Sequence, residues 1–188
     1  PDAPRVAVVG SGPAGLAVAW ELARRGARVT VVERADRAGG LLTYGIPNMK
    51  LPKEVVARRV ALMEELGIEF LLNTDAAEKD VAQELLAGSD AVVLAAGARV
   101  PRGLAATGFE AGLASGGVAW AVDYLTASTR SLLDGGEPAV SAEGRDVVVI
   151  GGGDTGNDCL GTAVRQGARS VAQIEFLPRP AEPGPGAT

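Results

Sequence analysis

Apolar residues in this chain gather into short unbroken runs, and the stretches between them repeat with a helical period. Arg5–Val9 (RVAVV), Arg28–Val32 (RVTVV), Ile68–Leu72, Asp90–Ala95 (DAVVLA) and Asp146–Ile150 (DVVVI) are such runs, most of them rich in valine. Runs of this length without polar alternation predict strands buried on both faces. Pro13–Arg25 predicts a helix of small apolar residues. Lys53–Leu66 puts Val56, Val60 and Met63 on one helical face, leaving Arg58, Arg59, Glu64 and Glu65 for solvent. Asp80–Ala87 reads as a short helix, and Val118–Leu133 contains another. Strands alternating with helices predict an α/β protein with parallel sheets.

The first strand runs into Gly10-Ser11-Gly12-Pro13-Ala14-Gly15, then the helix, then the second strand with Glu33 just past its end. Strand, G-x-G-x-x-G turn, helix, strand and acid together form a dinucleotide fingerprint. Gly10 makes the tight turn, Gly12 lets a pyrophosphate approach the backbone, and Gly15 lets helix and strand pack closely. The helix N-terminus offers free N–H groups to phosphate. The Glu33 carboxylate is placed to accept both hydroxyls of an adenosine ribose. Gly39 to Pro47 (GGLLTYGIP) shows neither period and reads as an ordered loop. Leu41, Leu42, Tyr44 and Ile46 are too apolar for a solvated loop; a flat apolar ring such as a flavin would account for them.

The fingerprint recurs. Val147–Gly151 aligns with Val6–Gly10, Gly153 with Gly12, Gly156 with Gly15, and Gly167-Ala168 with Gly26-Ala27. After one inserted residue, Glu175 meets Glu33. Two βαβ units imply two nucleotides, and an enzyme holding two redox nucleotides moves electrons between them. The intervening Arg99–Gly117, rich in glycine and alanine, reads as a connection. The expected division is 1–104 and 105–188.

Composition narrows the chemistry. The 188 residues are 47% hydrophobic but only 4% aromatic, so small aliphatic side chains must fill the core. Net charge is −5 with no basic run, which argues against nucleic acid. There is no histidine to act as base, nucleophile or metal ligand, and the single cysteine, Cys159, excludes a Cys-x-x-Cys pair. No stretch approaches a membrane span, so a cytoplasmic location is expected.

These residues resemble a known family. The first unit with GGLLTYGIPNMKL, the strand ending in DAVVLAAGA, and VVVIGGGDTGNDCLGTAVRQGA are together similar to the small subunit of bacterial glutamate synthase and related NADPH-dependent flavin electron-transfer subunits. The resemblance implies FAD on the first unit, at Gly10, Gly12, Pro13, Ala14, Gly15, Glu33, Arg34, Gly40, Leu41 and Gly97. It implies NADPH on the second, at Gly151, Gly153, Asp154, Thr155, Gly156, Glu175 and Arg179. It further implies hydride transfer to flavin, then single electrons leaving through iron–sulfur clusters to a large FMN-containing subunit that makes glutamate. No catalytic residue and no metal ligand are assigned within the chain.

The sequence departs from that family in three ways. It begins at the first unit without a cysteine-rich domain, it stops within the second, and Ala96 stands where the family has threonine. A fragment is therefore expected, with both domains incomplete. At the second site, Glu175 suits the ribose hydroxyls of NADH, whereas Arg179 or Arg169 suits a 2′-phosphate; the resemblance favours NADPH. A nucleotide-binding or assembly module without chemistry, or another oxidoreductase of the same group, remains the alternative.

Overall fold

The computed structural model describes residues 2–178. Its first sheet has four parallel strands in the order β3-β2-β1-β4: β1 (Arg5–Val9), β2 (Arg28–Val32), β3 (Glu69–Leu71) and β4 (Ala91–Leu94). β1 lies at its centre, with Val6 opposite both Val29 and Ala91. Helix α1 (Pro13–Arg24) has proline in its first turn, where the missing N–H costs nothing. It ends at Gly26, whose φ of 88° supplies the left-handed residue that closes the helix. Leu16 and Ala19 of α1 bury against Val6, Val8, Val29 and Val31. A short helix, α2 (Leu41–Tyr44), precedes α3 (Lys53–Glu65). Met63 of α3 is fully buried in the same core, beside Ile68. Helix α4 (Lys79–Gly88) leads back to β4.

Helices α5 (Phe109–Ala114) and α6 (Ala121–Asp134) follow, then a second parallel pair, β5 (Asp146–Ile150) and β6 (Ser170–Ile174), joined through α7 (Asp154–Arg165). The second core comprises Tyr124, Leu125, Ala142, Val149, Cys159 and Ala163. Val148, Ile150 and Ile174 are exposed. Among the described residues no helix is long and apolar enough to cross a membrane.

Two stretches differ from the sequence expectation. Residues 41–44 coil into one helical turn, closed by N–H bonds from Gly45 and Ile46 to the Leu41 carbonyl. A single turn is too short to carry a period. Phe109–Ala114 is helical within the expected connection, and Phe109 packs edge-on against Trp120. The helix expected within 118–133 begins at Ala121, after Trp120 in extended conformation.

Candidate nucleotide sites

The first glycine turn sits at the C-terminal end of β1, at the centre of the sheet. Gly10 has a φ of 102°, and a Cβ there would overlap the carbonyl of Ala95. A Cβ on Gly15 would overlap the carbonyl of Gly10, so the helix rests directly on the turn. Gly12 is different: no atom lies within 4 Å of where its Cβ would stand. That open face lies at the start of α1, which has no side-chain cap, so its first N–H groups are free to meet an anion. Pro13 and Ala14 are exposed beside it.

Glu33 is buried at the end of β2. Its Oε2 accepts from the Ser11 N–H at 3.0 Å and from the Ser11 hydroxyl at 2.5 Å. Its Oε1 accepts from the Ala35 N–H at 2.9 Å. Ser11 Oγ in turn accepts from the Gly39 N–H at 2.9 Å. One buried hydroxyl thus joins the turn, the acid and the loop. A Cβ on Gly40 would stand 3.0 Å from Gly12 Cα, so the loop backbone lies against the turn.

A cavity of about 380 Å³ opens beside Gly10 and Glu33. Thr74 to Ala77 form its far wall, and Arg34, Ala96 and Arg99 its rim. Asn73 precedes that wall with a φ of 52° and donates to the Ala35 carbonyl, while the Thr74 N–H donates to that of Glu33. The sequence reading missed Ser11 and 74–77. The signal was Asn-Thr-Asp after a strand, a turn-forming cluster. Gly97 is exposed and lies outside this cavity, although Ala96 and Arg99 on either side of it reach it.

The second turn repeats the first. Gly151 has a φ of 119°, and a Cβ on Gly156 would overlap its carbonyl. Gly153 is open, with no atom within 4 Å of a Cβ. Asp154 and Thr155 are exposed at the uncapped start of α7. Glu175 lies over Gly152. Its Oε1 accepts from the N–H groups of Phe176 at 2.7 Å and Leu177 at 3.0 Å. The Leu177 N–H is the main cause holding its carboxyl below the ordinary range. Arg179 lies outside the described residues, and Arg169 pairs with Asp146.

The two units meet at the apolar loop. Tyr44 is buried; its hydroxyl donates to Asp36 at 2.6 Å and accepts from Arg37 at 3.0 Å. The Arg130 guanidinium lies 4.5 Å over the Tyr44 ring, and Arg37 reaches Asp134 at 2.6 Å. Lys53 is buried, and its ammonium donates to the carbonyls of Leu42 at 2.9 Å and Ile46 at 2.5 Å. Burial lowers its pKa. Leu41 remains exposed. The apolar loop is thus held by Lys53 on one side and by α6 on the other.

A family model described as pyridine nucleotide-disulphide oxidoreductase matches residues 4–186. The glutamate synthase [NADPH] small chain of Bacillus subtilis is 52% identical over 178 residues, 93% of this chain and 35% of the relative. Glutamate synthase [NADH] of Schizosaccharomyces pombe is 54% identical over 181 residues, 94% of this chain and 8% of the relative. The chain therefore spans about a third of the bacterial relative and far less of the yeast one. Among solved structures, Mycobacterium tuberculosis FprA in complex with NADPH superposes with a TM-score of 0.68 at 21% identity, covering 92% of this chain and 43% of that one. At that identity the likeness speaks for the fold.

Proposed function

The chain belongs to the pyridine nucleotide-disulphide oxidoreductase family, and from that premise we propose that it is an electron-transfer module that binds FAD on its first unit and NADPH on its second. The observation that carries this is the pair of open glycine turns, each at the end of a parallel strand with an acid at the end of the next. Gly12 and the free N–H groups of Ala14 and Gly15 would hold the flavin nucleotide's pyrophosphate. Glu33 would take the ribose, releasing Ser11 as it does so. The cavity walled by 74–77 would take the adenine, and Gly40 and Leu41 would border the flavin side. Gly153 and the backbone N–H groups of Asp154, Thr155 and Gly156 would hold the second pyrophosphate, and Glu175 would lie beside the ribose without adding to NADPH affinity.

Bound flavin supplies the exchange between hydride transfer and single-electron transfer. The protein's part is to hold the two nucleotides on one frame and keep the loop between them dry. Similarity to glutamate synthase small chains supports a large-subunit partner whose iron–sulfur clusters receive the electrons for glutamate synthesis. We infer as well a cytoplasmic setting and a division into 1–104 and 105–188.

The test is spectroscopic. The full-length protein, purified and supplied with FAD, is expected to show flavin absorbance that bleaches on anaerobic addition of NADPH. Flavin that binds but does not bleach would leave a binding module without chemistry, and failure to bind FAD would overturn the assignment of the first unit.

A further inference from the structure

Lys50 belongs to the first unit, yet its ammonium faces the start of α7. Its Nζ lies 2.6 Å from Asp158 Oδ1 and 3.7 Å from Asp154 Oδ1. Asp154 follows Gly153 directly, and its side chain is 99% exposed. Asp158 stands one turn further on and is buried. Among the described residues, its Oδ1 has no partner besides Lys50. The backbone around Lys50 is fixed from both sides. Met49 rests against Gly161 of α7, where a Cβ would overlap it. The Lys53 N–H donates to the Asn48 side chain at 3.0 Å.

This arrangement bears on the ligand that the second turn would admit. The N-terminus of a helix favours an anion. Two carboxylates on its first two turns oppose one, because like charges a few ångströms apart repel. A turn with Asp154 and Asp158 alone would disfavour a pyrophosphate that its glycines leave room for. The Lys50 ammonium is within reach of both carboxylates. It has three N–H donors, and its side chain is 40% exposed, so the amine is open to a ligand.

We propose that Lys50 completes the second nucleotide site from the first unit: its ammonium offsets Asp154 and Asp158 and donates to the pyrophosphate of the bound dinucleotide. The proposal rests on the second unit being the NADPH site and adds a residue from outside that unit. Neither glycine turn with its own βαβ frame then contains the whole second site, and binding there draws on the contact between units.

The experiment compares wild type, K50Q, K50R and D158N, each loaded with FAD, by calorimetric titration with NADPH at low and high ionic strength. Loss of a charge-assisted contact predicts that K50Q binds NADPH roughly ten- to a hundredfold more weakly. Its affinity should also depend less on salt, with FAD content unchanged. K50R, which keeps the charge, should retain most of the affinity. D158N removes a repelling charge and frees the ammonium, so its affinity should equal or exceed wild type. A Lys50 that merely ties the units together makes the opposite forecast: K50Q and D158N cut the same ion pair and weaken binding alike. That result, or K50Q binding as wild type does, overturns the proposal. A wild type that retains FAD but binds no NADPH overturns the reading of the second unit, and this proposal falls with it.

Discussion

At the second position of the first glycine turn stands Ser11; at the same position of the second stands Gly152. The hydroxyl of Ser11 holds Glu33 and takes the N–H of Gly39, so the acid is buried and three segments are tied together. Gly152 has no side chain, and Glu175 folds down over it, exposed, capping the N–H groups of the two residues that follow. One backbone plan thus yields a site whose acid is already fixed and a site whose acid, among the described residues, is held by its own neighbours and the Gly152 backbone. The side chain at one position of the turn decides whether the acid is wired to a third segment.

The sharpest way to break this comparison is to fill the open glycine in each unit. Gly12→Val and Gly153→Val both meet empty space, so both proteins should fold. Gly12→Val is expected to lose FAD entirely. Gly153→Val is expected to stay yellow yet no longer bleach with NADPH. Loss of flavin from both, read by absorbance after purification, would show that the units are not separate sites.

A smaller effect is expected at the acids. Glu33→Ala should weaken FAD by about 1.5–3 kcal/mol, the loss of a charged hydrogen bond, as measured by titration. Glu175→Ala should leave NADPH affinity unchanged and weaken NADH. Equal losses at both positions would erase the distinction between the fixed acid and the free one.

Alkaline pH should separate the two cores by roughly 1 kcal/mol at pH 10. Burial pushes the Cys159 thiol from 9.0 up to about 11, and the Tyr124 hydroxyl from 10.0 up to about 12. The unfolded chain releases these protons first. The second unit's stability is therefore intact below pH 9 and falls as pH rises from there toward 12. The apolar cluster of the first unit contains no titratable side chain. Trp20 lies in the first unit and Trp120 in the second, so single-tryptophan variants can report each unit's melting. The Trp120 signal should drop first between pH 9 and 11, and Cys159→Ala should reduce that drop.

The smallest effect lies between the units. Arg37 and Asp134 are both partly exposed, so a double-mutant cycle on melting should give a coupling of about 0.2–1 kcal/mol. A larger value would mean that the units share one folding transition through this contact.

The two βαβ frames were legible in the sequence because each rests on local rules: valine runs for buried strands, glycines where a Cβ would collide, an acid at a strand end. The alignment of Val147–Gly151 with Val6–Gly10 agrees with the parallel pairs that each forms. What was not legible depends on contacts distant in sequence. Thr74 to Ala77 wall the cavity only because Asn73 and Thr74 bond back to Ala35 and Glu33. Lys50 reads as an ordinary surface lysine until α7 is packed beside it. Residues 41–44 are too few to show a helical period, and their shape is set by Lys53, nine residues beyond Tyr44.

Lys53 has a consequence of its own. Carbonyl oxygens gathered around a positive centre are how proteins lodge alkali metal ions. Here the centre is an amine on a covalent tether, seated between the oxygens of Leu42 and Ile46. Such a guest cannot diffuse away or be exchanged for another. The curvature of the 41–47 segment is therefore held by this tethered charge together with the N–H bonds to the Leu41 carbonyl.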